Sequence, residues 1–232
     1  MTLKLYGDFG SQPTMAVRLL CWANKIDYEM VTVNVAKLEH KKPEFKAINP
    51  ACQVPTIDDD GFILPESTAI LRYLAMSRNV PDHWYPADVK ARARVDYVLD
   101  WYHSNLRQTA AYVAQTVIAP ALWKVPKPDE AQLKPVQAKM IAAMDLLEEV
   151  LLKPEGPFLL GASQPSIADL ICSVEYRYLP QEEKEKVLSA RPKTKKWLET
   201  MEETLAPLFR GLQCDAGLAQ NSDTETMNEI IP

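Results

Sequence analysis

The feature that most constrains the fold is a pair of short apolar runs joined by an Asp-Gly step, with a proline inside the first run. The runs are Val54-Pro55-Thr56-Ile57 and Phe62-Ile63-Leu64, and Asp58-Asp-Asp-Gly61 separates them. An Asp-Gly step between two apolar runs is a strong hairpin signal. Because Pro55 enters the first run from an irregular segment, the Val54-Pro55 bond is a candidate cis peptide.

The residues around this hairpin have the pattern of alternating strands and helices. Leu3–Tyr6 and Met30–Val35 are predicted strands. Between them, Pro13 occupies a first-turn helical position with Ser11 just upstream, and a polar segment, 36–49, follows the second strand. A helix over Glu66–Met76 is predicted after the hairpin. The order β-α-β followed by β-β-α predicts a thioredoxin-like domain.

A short stretch with two prolines and no hydrophobic periodicity divides the chain. We predict residues 1–77 as the thioredoxin-like domain, 78–86 as a linker, 87–220 as an all-helical domain and 221–232 as a disordered tail. The predicted helices of the second domain are Ala87–Ala119, Asp129–Leu152, Ser166–Tyr178, Glu182–Ser189 and Pro192–Leu205.

Composition excludes several classes of function. A net charge of −5 provides no basic surplus for holding nucleic-acid phosphates. No apolar stretch reaches the roughly 20 residues of a membrane span, and Met1–Tyr6 leads into a strand without a signal-peptide core. The four cysteines have no CxxC or metal-ligand spacing, which suits a reducing compartment. We therefore expect a cytoplasmic protein that binds neither nucleic acid nor a membrane.

Four segments, in this order and spacing, resemble the cytosolic glutathione S-transferases. They are Ser11-Gln12-Pro13, Asn49-Pro50 with Gln53-Val54-Pro55, Glu66-Ser67 continuing to Leu74, and Asp82-His-Trp-Tyr-Pro86. The serine in the first βα turn, together with the segment Leu99–Arg107, is most similar to the theta class. The likeness covers residues 1–125 well, and beyond them it depends mainly on Pro165–Asp169.

The resemblance implies a fold, a ligand and an assembly. The fold is a thioredoxin-like N-terminal domain with a mixed four-stranded sheet, followed by an all-α C-terminal domain. Glutathione is expected in the cleft between the domains as a co-substrate, with no metal and no other cofactor. A small hydrophobic electrophile is the expected second substrate, and a homodimer is the expected assembly.

Ser11 is the residue that the resemblance assigns to the chemistry. A thiol with a pKa of about 8.5 is only about 3% thiolate at pH 7, and lowering that pKa by about two units takes roughly 2.7 kcal/mol. One hydrogen bond to a charged group supplies about 1.5–3 kcal/mol, and the adjacent helix N-terminus adds to it. Ser11 is thus expected to stabilise the thiolate without accepting its proton. The alternative role is that of an ordinary N-cap serine.

The resemblance also assigns residues that bind glutathione. The extended backbone at Val54-Pro55 is expected to pair with the cysteinyl unit, and the helix start at Ser67 is expected to bind the γ-glutamyl carboxylate. The full expected set is Gln12, His40, Lys41, Gln53, Val54, Pro55, Glu66 and Ser67. The structural alternatives are an ordinary edge strand, routine helix capping and a solvated charge run.

The second domain is expected to contribute Arg107 and the electrophile site. The resemblance places Arg107 on the long helix, facing the cleft, where a guanidinium stabilises thiolate or leaving-group charge. Its alternative role is that of an exposed arginine. The expected walls of the electrophile site are Tyr102, Tyr112, Val113 and Trp123, although aromatic residues on a helix usually belong to the core.

These residues together predict conjugation of glutathione to small electrophiles. Reduction of organic hydroperoxides and dehalogenation of small halides are variants that use the same thiolate. The alternative of a different class is a non-catalytic carrier or scaffold with this fold. Cys52 is expected to be a packing residue, since no resolving cysteine accompanies it. Ser166-Ile-Ala-Asp169 is a capping box with a purely structural role.

Overall fold

The computed structural model describes residues 3–218 of the chain, with side chains described as far as Ala206. The N-terminal domain begins with β1 (Leu3–Gly7), α1 (Gln12–Ala23) and β2 (Glu29–Thr32). It continues through α2 (Pro43–Ile48), β3 (Thr56–Asp59), β4 (Phe62–Pro65) and α3 (Ser67–Ser77). The predicted hairpin and its flanking helix are therefore confirmed.

The four strands form one mixed sheet in the order β2-β1-β3-β4. β1 is parallel to β2, with Leu5 opposite Met30, and antiparallel to β3, where Leu5 faces Ile57. The Val54-Pro55 peptide is cis, as the sequence indicated, and lies just before β3. This arrangement confirms the thioredoxin-like domain and brings the end of β1 beside the start of β3.

The second domain is helical throughout the part of the chain that the structure describes. Its elements are α4 (Val89–Ser104), α5 (Gln108–Val113), α6 (Ala119–Trp123), α7 (Glu130–Leu146), α8 (Ile167–Ser173), α9 (Gln181–Ser189) and α10 (Pro192–Leu218). Wide π turns at Ala114–Ile118 and Leu147–Leu151 follow α5 and α7, and a 3₁₀ turn at Val174–Tyr176 follows α8. None of the helices within residues 3–218 is long and apolar enough to cross a membrane.

The structure differs from two of the predictions for individual segments. The single helix predicted over Ala87–Ala119 is interrupted after Ser104, because the Asn105 amide folds back onto the Trp101 carbonyl at 2.9 Å and its backbone leaves the helical region. The segment predicted to be irregular contains α2, whose first residue is Pro43. The tail predicted at 221–232 lies outside the described residues.

The two domains pack through α1, which contacts α3 of the first domain and α8 and α10 of the second. Arg72 of α3 bridges to Asp96 and Asp100 of α4, both at 2.7 Å. His83 in the linker contacts the Pro165 carbonyl at 2.6 Å. These contacts fix the cleft between the domains.

Candidate functional site

A cavity of about 610 Å³ lies between the two domains and is lined by both. The first domain contributes the turn after β1, the loop before β3 and the start of α3 to its wall. The second domain contributes the end of α4 and the helical segment from α5 to α6. Twelve of the fourteen residues predicted for the site line it: Ser11, Gln12, His40, Lys41, Gln53, Val54, Pro55, Glu66, Ser67, Tyr102, Arg107 and Trp123.

Ser11 forms the N-cap of α1 and faces this cavity. Its backbone is extended (φ −90°, ψ 118°), and its hydroxyl accepts the Thr14 N–H at 3.4 Å. The capping contact uses the oxygen as an acceptor, so it does not occupy the hydroxyl hydrogen. Ser11 can therefore cap the helix and donate a hydrogen bond at the same time, which means that the two roles considered for it are compatible.

The loop before β3 is held by Asn49, a buried residue. Its amide nitrogen donates to the Gln53 carbonyl at 2.8 Å and to the Thr56 hydroxyl at 3.1 Å. These bonds fix the backbone on both sides of the cis Val54-Pro55 peptide. The result is a rigid extended segment at the cavity wall, which suits pairing with a peptide.

The start of α3 provides a place for an anion. Glu66 precedes the helix with φ 71° and makes no side-chain capping bond, while Ser67 is buried beside the cavity. A non-glycine residue with this φ is strained by about 1–3 kcal/mol, a cost often found at ligand sites. Behind it, the Thr68 hydroxyl is 3.0 Å from His103 Nε2 of α4, so the second domain supports this helix start.

The turn at His40 and Lys41 also lines the cavity. Burial lowers the pKa of His40 below its ordinary value, and the charge of Lys41 lowers it further. His40 is therefore neutral at pH 7 and able to donate one ring N–H. Nearby, Trp123 of α6 donates its indole N–H to the Ala36 carbonyl at 3.4 Å, which joins the two domains at this rim.

Arg107 reaches the cavity from the turn between α4 and α5. Its Nη1 bonds Glu175 Oε1 at 2.8 Å and Gln12 Oε1 at 3.4 Å, and 34% of its side chain is exposed. The same Glu175 oxygen accepts the Tyr102 hydroxyl at 2.5 Å. Burial lowers the pKa of Arg107, but the Glu175 carboxylate outweighs it and raises that pKa overall.

Tyr112 and Val113 do not line the cavity, in contrast to their predicted role. Val113 is fully buried in the core and Tyr112 packs against the same core. The alternative stated for residues of this kind, a place in the core, is what the structure shows for both. The wall is instead a stripe of small and aliphatic residues at four-residue intervals: Ala110, Ala114, Ile118 and Leu122.

Sequence reasoning missed several residues of the site. Tyr178, His103 and Cys52 line the cavity, and Glu175 lies behind Arg107. The stripe could have been found from its four-residue spacing, whereas Glu175 lies 68 positions from Arg107 and has no local signal. Among the described residues there is no group of three or more His, Cys, Asp or Glu side chains that could hold a metal ion.

The chain is similar to known proteins over most of its length. A family model described as glutathione S-transferase, N-terminal domain, matches residues 1–76. Glutathione S-transferase T1 of Arabidopsis thaliana is 40% identical over 214 residues, which cover 90% of this chain and 86% of that protein. Glutathione S-transferase theta-1 of Bos taurus is 38% identical over 203 residues, covering 87% and 83% of the two chains.

Solved structures resemble the fold as a whole. Human glutathione S-transferase T1-1 in its apo form superposes with a TM-score of 0.82 at 34% identity, covering 90% of this chain and 87% of that one. Human glutathione transferase theta-2, in complex with glutathione and an unknown ligand, gives a TM-score of 0.76 at 30% identity, with 99% and 100% covered.

Proposed function

Because this chain belongs to the theta class of the glutathione S-transferase family, we propose that it conjugates reduced glutathione to small electrophiles. The observation that carries the proposal is the meeting of three features in one cavity: the Ser11 hydroxyl, the extended Val54-Pro55 segment and the start of α3. A peptide fits these three features if its thiol meets Ser11, its backbone pairs with Val54-Pro55 and one of its carboxylates binds at the start of α3.

In the proposed binding mode, each part of glutathione has its own partner. The Val54 backbone pairs with the cysteinyl unit, and Gln12 and Gln53 contact the polar flanks of the peptide. Ser67 and the N–H groups at the start of α3 bind the γ-glutamyl carboxylate, since a helix N-terminus attracts anions, and Glu66 receives the ammonium group. His40 and Lys41 bind the glycyl carboxylate.

In the proposed reaction, the glutathione thiol loses its proton to solvent and the Ser11 hydroxyl donates to the resulting thiolate. The sulfur then attacks an electrophilic carbon, a C–S bond forms, and the leaving group departs with the bonding electron pair. Arg107 faces the developing negative charge. No proton passes through Ser11, so its contribution is electrostatic. The apolar stripe and Trp123 provide the walls for the electrophile.

Two further properties are part of the proposal. The same thiolate would attack an organic hydroperoxide at oxygen, releasing an alcohol and a glutathione sulfenic acid that a second glutathione converts to the disulfide and water. A cytoplasmic location is proposed from the free cysteines, which among the described residues are Cys21, Cys52 and Cys172, all buried.

We also propose a homodimer formed through β4, α3 and α4. These elements are neighbours, since Phe62 of β4 packs on Tyr73 of α3 with ring centroids 5.1 Å apart and Arg72 of α3 pairs with α4. They expose a cluster of large apolar side chains between 38% and 77% exposed, namely Phe62, Ile63, Met76, Val89 and Tyr97. An exposed apolar cluster of this kind is typical of a protein interface.

The test of the proposed function is a titration of glutathione bound to the purified protein. We expect the wild type to lower the pKa of the bound thiol by about one to two units from about 8.5, and Ser11→Ala to return it toward that value, because one charge-assisted hydrogen bond is lost. The measurement is the ultraviolet absorbance of the thiolate, with Ser11→Thr as the control that keeps the hydroxyl.

The other outcomes are equally informative. Binding of glutathione without a change of thiol pKa in the wild type would favour a non-catalytic carrier. Absence of glutathione binding would contradict the proposed function altogether. A lowered thiol pKa that persists in Ser11→Ala would leave the transferase assignment standing and remove Ser11 from its proposed role.

A further inference from the structure

Glu175 is a buried carboxylate that the reaction proposed above does not use. It lies in the 3₁₀ turn at Val174–Tyr176, after α8, and its side chain is 0% exposed. A buried carboxylate is costly unless it is paired and hydrogen-bonded. Both of the groups that satisfy it, Arg107 and Tyr102, line the catalytic cavity. Its position behind the cavity wall therefore needs an explanation.

The side-chain contacts of Glu175 are made by one of its two oxygens. Its Oε1 accepts from Arg107 Nη1 at 2.8 Å and from the Tyr102 hydroxyl at 2.5 Å. Its Oε2 makes no well-formed hydrogen bond among the described residues, although the Ala110 backbone N–H is near enough to oppose the rise that burial causes in the pKa of this carboxyl. A carboxylate whose only role was to accept hydrogen bonds from buried donors would be expected to use both of its oxygens. Here the bonding converges on the oxygen that faces Arg107.

The effect on Arg107 is to fix one end of its guanidinium. Nη1 is bound by Glu175 and also contacts Gln12 of the first domain at 3.4 Å, so neither contact engages Nη2 or Nε. A third of the Arg107 side chain is exposed, and the residue lines the cavity. A flexible arginine held in this way loses little freedom when it binds an anion with its remaining donors.

We propose that Glu175 is a positioning residue, which holds the Arg107 guanidinium at the cavity wall, where it can face the charge of a departing leaving group. The inference rests on the proposed function, and it adds a residue behind the cavity wall on which that function depends. Glu175 itself contacts no substrate and acts through Arg107. Electrophiles that add glutathione without releasing a group gain less from this arrangement.

The test compares two substrates in wild type and Glu175→Gln. One is a benzylic halide, which releases halide, and the other is an α,β-unsaturated aldehyde, which releases nothing. The amide has the shape of the carboxylate and can keep its carbonyl toward Arg107 and Tyr102, but it removes the charge. A neutral carbonyl holds a guanidinium more weakly than a carboxylate does, so we expect Arg107 to move and kcat for the halide to fall roughly ten- to hundredfold, the effect of a misplaced catalytic group. We expect the aldehyde reaction to change less than about threefold.

A double-mutant cycle with Arg107→Ala separates positioning from general damage. If Glu175 acts through Arg107, adding Glu175→Gln to the Arg107→Ala protein leaves the halide kcat unchanged. Glu175→Asp keeps the charge but withdraws it from Arg107, and we expect it to reproduce the selective loss. This variant also serves if the amide prevents folding. Glu148→Gln, whose carboxylate binds the Thr194 N–H and hydroxyl at 2.7 and 2.8 Å, is the structural control.

The outcomes separate this inference from the proposed function. Equal losses for both substrates, or additive effects in the cycle, would overturn the positioning role while conjugation itself still stands. A wild type that conjugates the aldehyde but not the halide would also overturn it. A wild type that binds glutathione with a normal thiol pKa and conjugates neither substrate would contradict the proposed function, and this inference with it.

Discussion

Asp169 shows how much of the second domain depends on a single buried carboxylate. It is fully buried and accepts from the Leu159 N–H at 2.8 Å, the Ser166 N–H at 2.8 Å, the Ser166 hydroxyl at 2.9 Å and the Trp197 indole at 3.0 Å. The capping box predicted from Ser166 and Asp169 is therefore present. The carboxylate also reaches a loop and a distant helix that the local motif does not reveal.

We expect Asp169→Ala to lower the free energy of unfolding by about 3 kcal/mol or more, because each buried donor left unpaired costs about 1–3 kcal/mol. Ser166→Ala removes the cap alone and is expected to cost only about 1 kcal/mol. Chemical unfolding followed by circular dichroism compares the two. Equal stabilities of the two variants would show that the contacts to Leu159 and Trp197 contribute nothing.

At the scale of single elements, α3 is joined to β3 by a small charged cluster. Tyr73 and Arg78 both bond the Asp59 carboxylate, at 2.5 and 2.7 Å. Burial alone would raise the pKa of Asp59, but the bonds from Tyr73 and Arg78 outweigh it and lower that pKa below its ordinary value. A carboxylate with a lowered pKa in the folded state stabilises the protein above its unfolded pKa, and this contribution disappears as the pH falls through the folded pKa.

We therefore expect wild type to lose stability on acidification below about pH 4, where an unperturbed aspartate begins to protonate. Asp59→Asn is expected to be about 1–2 kcal/mol less stable at neutral pH, because hydrogen bonds to a charged group are worth about 1.5–3 kcal/mol, reduced here by partial exposure of Arg78. Its melting temperature should vary less steeply with acid pH than that of the wild type. Parallel pH profiles would contradict this role for Asp59.

The elements differ in how far the sequence predicted them. Features with a local sequence signal were predicted, such as the Asp-Gly hairpin and the cis Val54-Pro55 peptide. The helix α2 was missed because its polar residues suggested a loop, although Pro43 and Glu44 form a typical first turn. The turn at Asn105 was missed because the apolar spacing continues across it, and only the folded backbone reveals how the Asn105 amide ends α4.

The candidate site was predictable to a similar degree. Residues such as Ser11 and Ser67 belong to short motifs and were predicted to face the ligand, and they line the cavity. Tyr112 and Val113 were assigned to the wall from the resemblance, but they belong to the core, because the direction of a side chain on a helix depends on packing that a single sequence does not reveal. Glu175 depends on a contact between distant parts of the chain, for which a single sequence contains no local signal.

At the scale of the whole molecule, the apolar face on β4, α3 and α4 predicts a dimer of the 26.2 kDa chain. We expect wild type to sediment as a dimer at micromolar concentration and Phe62→Glu to shift the protein toward monomer, because the new charge would be buried at the interface. Val150→Glu is the control, since Val150 is similarly exposed, at 51%, but belongs to the π turn after α7. A wild type that remains monomeric at all concentrations would contradict the proposed interface.

The two walls of the cavity differ in how well they tolerate substitution. One wall is the stripe of Ala110, Ala114, Ile118 and Leu122, and the other is formed by the first domain. On the side proposed to bind the thiol, Ser11 caps a helix, and Asn49 and the start of α3 shape the backbone, so most substitutions there would disturb the fold as well as the proposed ligand site. On the stripe, each side chain only sets a local volume, and exchanges among alanine, valine and leucine preserve the helix at little cost. New electrophile preferences could therefore arise from a few changes of side-chain size along one helical face, without altering the residues proposed to activate the thiol.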